Sequence, residues 1–490
     1  MSSPSVRIRM YRQGLGDCFL LSFPRSNNQS SPDFHMLIDC GVITGSDPTK
    51  LIDAVHDICT VTNGHLDLLI GTHEHWDHLS GFNQARDVFD NKFTVDNVWL
   101  AWTEDPDNAT ARNLSNDRSA KLTALRAAVA QMNGPSLARE DKESIQNVLG
   151  FFGENPAALS TNMGLTATPG ATTTQDAMHY LASRHDAKVH YCYPSKDEPH
   201  SLDGVDGVRV YVFGPPEDMK MMKLINPTQQ GKETYGVAPT GAEDALFAAV
   251  IPPGEDSRYA QIKELVFPFD SLYRITPVEA RDSQHDDFFR QHYGFGRDDE
   301  DWRRIDNDWL NVTGQLALNL DSDTNNTSLV LAIELGDAGS GKVLLFAADA
   351  QVGNWLSWDN LTWTLNDPGK PALKVTAPDL LARTAFYKVG HHGSHNATMR
   401  AQGLELMVRD DLVAMIPVDH NMAVKKGWNM PFPGLYTRLE EKTKGRVIRI
   451  DNGVPNRQDA GTLTDAEWQT FNRSVTQTDL YIELSISSDS

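Results

Sequence analysis

Within six residues, His73, His75, Asp77 and His78 bring together four side chains able to bind a metal, directly after the apolar run Leu66-Asp-Leu-Leu-Ile70. Four such groups cannot all be buried cheaply as ordinary polar side chains, because each one taken out of water needs a partner. Divalent cations satisfy all four, since neutral imidazole and carboxylate suit zinc, manganese or iron. On a turn leading into a helix, His73 and His75 can point to one ion while Asp77 and His78 reach a second. The chemistry this implies is hydrolysis. Two cations about 3.5–4 Å apart turn a shared water into hydroxide near neutral pH, and it attacks a carbonyl carbon or a phosphorus.

Such side chains need strands to hold them. Ser5–Tyr11 alternates, Cys18–Phe23 is apolar, and the Gly14-Leu-Gly16-Asp17 turn separates them. Phe34–Asp39 predicts a third strand, Pro48–Cys59 a helix, and 66–70 a strand running straight into the histidine motif. Strands are also predicted at Val208–Phe213, Ser328–Leu335, Lys342–Phe346, Phe386–Val389 and Leu412–Ile416. Between these halves, Leu122, Leu125, Val129 and Met132 recur at helical spacing, with Asn116 as N-cap and Gly134 as stop, and read as a packing stripe. Ile145, Val148, Leu149 and Phe152 suggest a second helix, and 160–175 a loop. The stretch 217–310 has no clear period and reads as an inserted lid or helical cap. The division is an N-terminal αβ half at 1–102, a largely inserted region at 103–312 holding one core strand near 208–213, and a C-terminal αβ half at 313–490.

Composition narrows the class. Of 490 residues, 44 are Lys or Arg and 66 Asp or Glu, a net charge of −22, which argues against loose, charge-driven binding of nucleic acid. Arg383, Lys388, Lys425 and Lys426 flank the second-half motifs but read as solvated surface. Four scattered cysteines build neither a disulfide framework nor a zinc knuckle. No apolar run approaches the roughly 18 residues of a membrane span, and no leader-like stretch opens the chain. A cytoplasmic protein is expected, with no membrane partner. Asp321-x-Asp323-x-Asn325 begins like a calcium loop but lacks the later glycine and glutamate, and reads as a loop entering a strand.

The segment Thr72-His-Glu-His-Trp-Asp-His-Leu-Ser-Gly81 resembles the signature of the metallo-β-lactamase superfamily. Leu37-Ile-Asp39-Cys-Gly41, Val343-Leu-Leu-Phe-Ala-Ala-Asp349 and Lys388-Val-Gly-His391-His392-Gly-Ser394 resemble its other motifs in order. Within that superfamily the chain is most similar to the soluble hydrolase domain of competence DNA-uptake proteins. Gly14–Asp17, Asn326–Leu331, His391–Ser394 and Arg449-Ile-Asp-Asn-Gly453 all match that branch. The likeness covers the two strand-rich halves; the insertions at about 103–200 and 217–310 lie outside it. It implies an α/β fold, a four-layer αβ/βα sandwich carrying large helical and loop insertions.

The resemblance also implies roles. His73 and His75 would bind one ion and Asp77 and His78 a second, with Asp349 bridging, so that Asp77 and Asp349 are the residues closest to catalysis. His391 or His392 would complete the second site. Neighbours on a strand point to opposite faces, so one of them is expected to ligate, with His391 favoured. Asp39 would hold a ligand imidazole in its correct tautomer, and Asp17 would stand behind the ligands in the same way. His395 and His420 are candidates for lining the substrate. Two features depart from the family. Its third motif often ends a strand in histidine, whereas Val208–Phe213 runs into Gly214-Pro215-Pro216, implying a first site with fewer protein ligands and partial occupancy. The competence branch's Gly-His-Pro element is replaced by Asn429-Met-Pro-Phe432-Pro433. The expected activity is metal-dependent hydrolysis of a phosphodiester in a nucleotide or nucleic acid, with two divalent ions, zinc first and manganese as the alternative. Thioester, lactone or β-lactam hydrolysis is the competing reading, and a weakened scaffold or sensor, with a protein partner on the insertions, is the third.

Overall fold

The computed structural model describes residues 5–26, 33–131, 148–153, 173–194, 198–224, 286–293, 320–366, 371–459 and 461–488. Their strands form two mixed sheets, of eight and seven strands, and one small hairpin. In the first sheet, β1 (Ser5–Tyr11), β2 (Cys18–Pro24) and β3 (Asp33–Cys40) form an antiparallel meander; β4 (His65–Gly71), β5 (Thr94–Ala101) and β6 (Lys188–Cys192) then continue in parallel. The second sheet repeats this plan. Strands β7 (His200–Ser201), β8 (Val208–Gly214), β9 (Val330–Leu335) and β10 (Lys342–Phe346) are antiparallel, and β13 (Thr384–Lys388), β14 (Val413–Ile416) and β15 (Val447–Arg449) follow β10 in parallel. The hairpin is β11 (Thr362–Leu365) with β12 (Leu373–Thr376).

One apolar core joins the sheets. Val6, Ile8 and Met10 from β1 meet Val210 of β8, Ile333 of β9 and Leu344 of β10 in a single cluster. Helices cover the outer faces. Leu51, Val55 and Ile58 of the helix Pro48–Val61 pack on Leu20, Leu37 and Leu69, while Trp355, Leu380, Leu435 and Leu439 pack on Val343, Leu345 and Tyr387. Strands buried on both faces read as unbroken apolar runs, which is why β9, β10 and β13 were legible. Glu334 is the exception: fully buried in β9, it takes hydrogen bonds from Tyr211 Oη at 2.8 Å, Arg383 at 2.5 Å and Gly339 N at 2.8 Å. Arg383 is thus a structural partner, not solvated surface.

Several elements differ from expectation. The helix Ala109–Gln131 starts well before Asn116, because Asn108 Oδ1 accepts from the amides of Thr110 and Ala111 and caps it there. Leu122 and Leu125 are buried in the core as predicted, whereas Gly134, Ile145 and the loop at 160–172 lie outside the described residues. Residues 320–326 are helical, so Asn326, read as the start of a loop entering a strand, belongs to that helix, and the loop begins at Thr327. The chain's last strands, β16 (Val475–Gln477) and β17 (Tyr481–Ser487), return to the first sheet, where β17 pairs with β1. Among the described residues no helix is long and apolar enough to cross a membrane.

Candidate metal centre

The carboxyl ends of the parallel strands from both sheets meet in one place, the position where open α/β sheets present their ligands. β3 ends in Asp39-Cys40; β4 hands over to Thr72-His73-Glu74-His75, which leads into the helix Trp76–Gln84. From the other sheet, β10 runs on to Asp349 and β13 to His391 and His392. His392 Nε2 lies 2.8 Å from Asp77 Oδ2 and 3.6 Å from Asp349 Oδ2. His78 Nε2 lies 3.1 Å from Asp349 Oδ2. Asp77, His78, Asp349 and His392 each offer an atom within 4.8 Å of the other three, and Asp17, Asp39 and His78 form a second such group. All are buried.

Partners behind these atoms set their hydrogens. Asp39 Oδ2 accepts from His78 Nδ1 at 2.7 Å and from the Thr72 hydroxyl at 2.7 Å, and Oδ1 accepts from Thr72 N at 2.8 Å. His392 Nδ1 donates to the Pro417 carbonyl at 2.8 Å. Carboxylates and carbonyls only accept, so Nδ1 carries a hydrogen on both His78 and His392, and Nε2 is the nitrogen that each turns into the cluster, where that of His392 donates to Asp77 Oδ2. His391 is held differently: Nδ1 lies 3.3 Å from Gln351 Nε2 and 3.1 Å from Ser394 Oγ. The alternation argument for choosing between the two histidines does not apply, because both sit in a turn past β13, with φ of 41° and 52°. Asp39 and Ala348 also have positive φ, 55° and 46°. Each such residue costs on the order of 1–3 kcal/mol, and four of them gather here. Gly16 and Gly41 close on Asp77 from behind; a Cβ on Gly16 would stand 2.6 Å from the Asp77 carbonyl oxygen.

The electrostatics are lopsided. Asp17, Asp39, Asp77, Asp321 and Asp349 are all buried; Asp17, Asp349 and Asp39 act on the buried ammonium of Lys388, while burial, with Asp77 and Asp349, pushes the Asp321 carboxyl well above the usual range. Lys388 Nζ contacts Asp17 Oδ2 at 2.5 Å, the Ala348 carbonyl at 2.8 Å and Asp349 Oδ1 at 3.4 Å. Its reading as solvated surface is therefore overturned: the last residue of a central strand points inward, and acidic partners from both sheets stabilise its buried charge. Burial alone would push the His78 imidazole down, but Asp349, Asp17, Asp39 and Asp77 hold it well above the ordinary histidine range. His392 is raised against burial by Asp349 and Asp77. Burial opposes charge on Asp349 and Asp77 too, yet His78 and His392 outweigh it and lower both. Burial pushes His75 down to about 3 and His391 to about 4, so both are neutral.

Whether these residues suit cations is answered by what they leave unpaired. His75 Nε2, Asp77 Oδ1, His78 Nε2, Asp321 Oδ1, Asp349 Oδ2 and His391 Nε2 are buried without a hydrogen-bond partner. His78 Nε2 and Asp349 Oδ2 approach closely but form no hydrogen bond with each other. At about 1–3 kcal/mol each, six such atoms cost roughly as much as a whole domain's stability of about 5–15 kcal/mol. Imidazole nitrogens and carboxylate oxygens are the donor set of zinc and manganese, and a cation among Asp77, His78, Asp349 and His392 would satisfy the unpaired atoms of Asp77, His78 and Asp349.

The remaining candidates sit around this cluster. His73 Nε2 is 3.1 Å from His75 Nδ1, and the His75 ring lies against Phe151 and Phe152, whose neighbour Trp428 stacks on Phe151. Asp17 Oδ1 is 3.8 Å from His392 Nδ1. His395 is partly buried, its ring 6.2 Å from that of Phe432. His420 is exposed and bonds the Met430 carbonyl and, through its amide, Asp451. Sequence reasoning missed Thr72, Lys388 and Asp321. Only Thr72, flanking the motif, carried a local signal. Compared with models of protein families and with characterised proteins, the chain matches none.

Proposed function

We propose that this cluster is the divalent-cation centre of a hydrolase built on the metallo-β-lactamase plan, and that its substrate is a phosphodiester in a nucleotide or nucleic acid. Two sheets sharing a core, with helices outside, support reading the fold as the four-layer αβ/βα sandwich. The observation that carries the functional reading is the buried group Asp77, His78, Asp349 and His392, brought together from both sheets with atoms of Asp77, His78 and Asp349 left unpartnered. In this reading His73 and His75 would hold one cation and Asp77, His78 and His392 a second, with Asp349 available to both. His392 is preferred to His391 because the Pro417 carbonyl fixes its tautomer. Zinc suits the imidazole-rich set best, with manganese as the alternative.

When bound, such cations supply Lewis acidity toward a phosphoryl oxygen and lower the pKa of water. The chain's residues supply the rest. Asp39 keeps His78 Nε2 directed inward, and Lys388 holds Asp17 and Asp349 in place while offsetting part of their charge. Phe151, Phe152 and Trp428 form an aromatic wall that keeps bulk water from His75. A net charge of −22 favours a small nucleotide over a long polyanion held by phosphate contacts. The test is metal content by mass spectrometry after purification without chelator, then turnover of bis-p-nitrophenyl phosphate beside acyl substrates with zinc or manganese. Phosphodiester turnover is expected, and Asp349→Ala and His75→Ala are each expected to abolish it while the circular dichroism spectrum stays unchanged. Turnover at the unmodified rate in either variant, or a preference for the acyl substrates, would refute the assignment.

A further inference from the structure

At the end of the sandwich away from the His–Asp cluster, the core between the sheets is incompletely filled. A cavity of about 180 Å³ opens there. Among the described residues its apolar walls are Val6, Phe23, Val205, Val208 and Leu335, all members of the inter-sheet core. Strand β2 runs from Cys18, next to Asp17 of the cluster, to Pro24, which lines the cavity. At about 3.3 Å per residue, that strand puts roughly 20 Å between the two places. The cavity therefore shares no residue with the cluster or with the groups that support it.

One polar group in its walls lacks a partner. The Arg25 side chain is only 5% exposed. Its Nη1 donates to the Asp203 carbonyl at 2.6 Å, and its Nη2 pairs with Asp67, whose second oxygen accepts from His35 N at 2.7 Å. Arg25 Nε is buried and has no hydrogen-bond partner. A buried donor left in that state costs about 1–3 kcal/mol, which an acceptor oxygen would recover. Size and charge narrow what could bring that oxygen. An apolar cavity of about 150 Å³ is enough to take up benzene. Asp67 already balances the guanidinium, and Asp206, exposed at the lip of the cavity, repels anions.

We propose that this cavity is a second ligand site, for a small uncharged molecule with an apolar, ring-sized body and one acceptor oxygen that takes the Arg25 Nε–H. Burial of the ring against the five apolar side chains supplies the attraction, and the single hydrogen bond fixes orientation. The site is independent of whether the His–Asp cluster holds cations.

Acetophenone, ethylbenzene and benzoate test it, since they share a ring and differ in carrying an acceptor, no acceptor or a negative charge. Titrations of the full-length protein followed by saturation-transfer NMR give their dissociation constants. Acetophenone is expected to bind about tenfold more tightly than ethylbenzene, with benzoate the weakest. Val205→Phe and Val208→Phe each fill the cavity and are expected to weaken acetophenone at least about tenfold. Melting curves show which of the two variants folds, and a folded one decides. Arg25→Lys keeps a cation beside Asp67 but removes the Nε–H, and should bring acetophenone and ethylbenzene to within about twofold of each other. Benzoate binding as tightly as acetophenone would overturn the proposal. So would an unchanged acetophenone preference in Arg25→Lys, full acetophenone affinity in a folded cavity-filling variant, or no saturable acetophenone binding at all.

Discussion

Protons and cations compete for the same nitrogens in this cluster. His78 and His392 are held above the ordinary histidine value of about 6.5, chiefly by Asp349, so near neutral pH the metal-free site carries protons where ions would bind. Their contribution to folding is fully present below about pH 6.5 and is lost as the pH rises through their raised values. Binding a cation must expel those protons, so apparent affinity should climb as the pH rises above the ordinary histidine range. Calorimetric titration with zinc in two buffers of different ionisation enthalpy checks this. Net proton release at neutral pH is expected, and an affinity flat with pH, without proton release, would contradict the assigned electrostatics.

Elements decide whether the motif loop is rigid. The helix Ala109–Gln131, outside the part of the chain that resembles the family, sends Arg118 into the back of the loop, where it pairs with Glu74 and, at 3.3 Å, with Glu104. Lys121 bonds Asp323 at 3.1 Å, tying the same helix to the stretch that carries Asp321. The inserted helix is therefore a buttress for both flanks of the His73–His75 pair. Replacing Arg118 with Met leaves Glu74 buried without its partner, and breaking a buried pair this way costs about 3–5 kcal/mol. Urea unfolding should show a correspondingly lower midpoint for Arg118→Met. A midpoint equal to that of the unmodified protein would remove the helix from this role.

On the scale of the whole molecule, the cluster stitches distant stretches of chain together. Asp77 and His392 are 315 positions apart, and they come from different sheets. Repulsion between the buried carboxylates of Asp77 and Asp349 opposes that junction, and a bound cation would relieve it. A ligand present at about 100–1,000 times its Kd adds about 3–4 kcal/mol to stability, so zinc should raise the melting temperature and chelation should reverse the gain. Scanning fluorimetry with and without zinc measures it; a melting curve indifferent to zinc would mean that the junction needs no ion. The same scale explains the closing strand: Ile482, Leu484 and Ile486 of β17 bury their side chains in the core between the sheets and cover the edge of β1.

By itself the sequence determined what is local. Four ligand-type residues in one turn after an apolar strand announce a cation site without knowledge of anything else, and strands buried on both faces announce themselves as unbroken apolar runs. Asp349 and His391/His392 were reached only through resemblance, because their meaning depends on the opposite sheet. Tertiary structure alone decided that Lys388 is buried, since its charge is tolerable only where Asp17 and Asp349 arrive from two sheets. It alone moved Asp321 from an unremarkable polar stretch to the edge of His75, and made β17 the partner of the opening strand. The physical reason is common to all three: burial of a polar group, or pairing of a short strand, is settled by the partner that covers it, and here that partner lies hundreds of residues away.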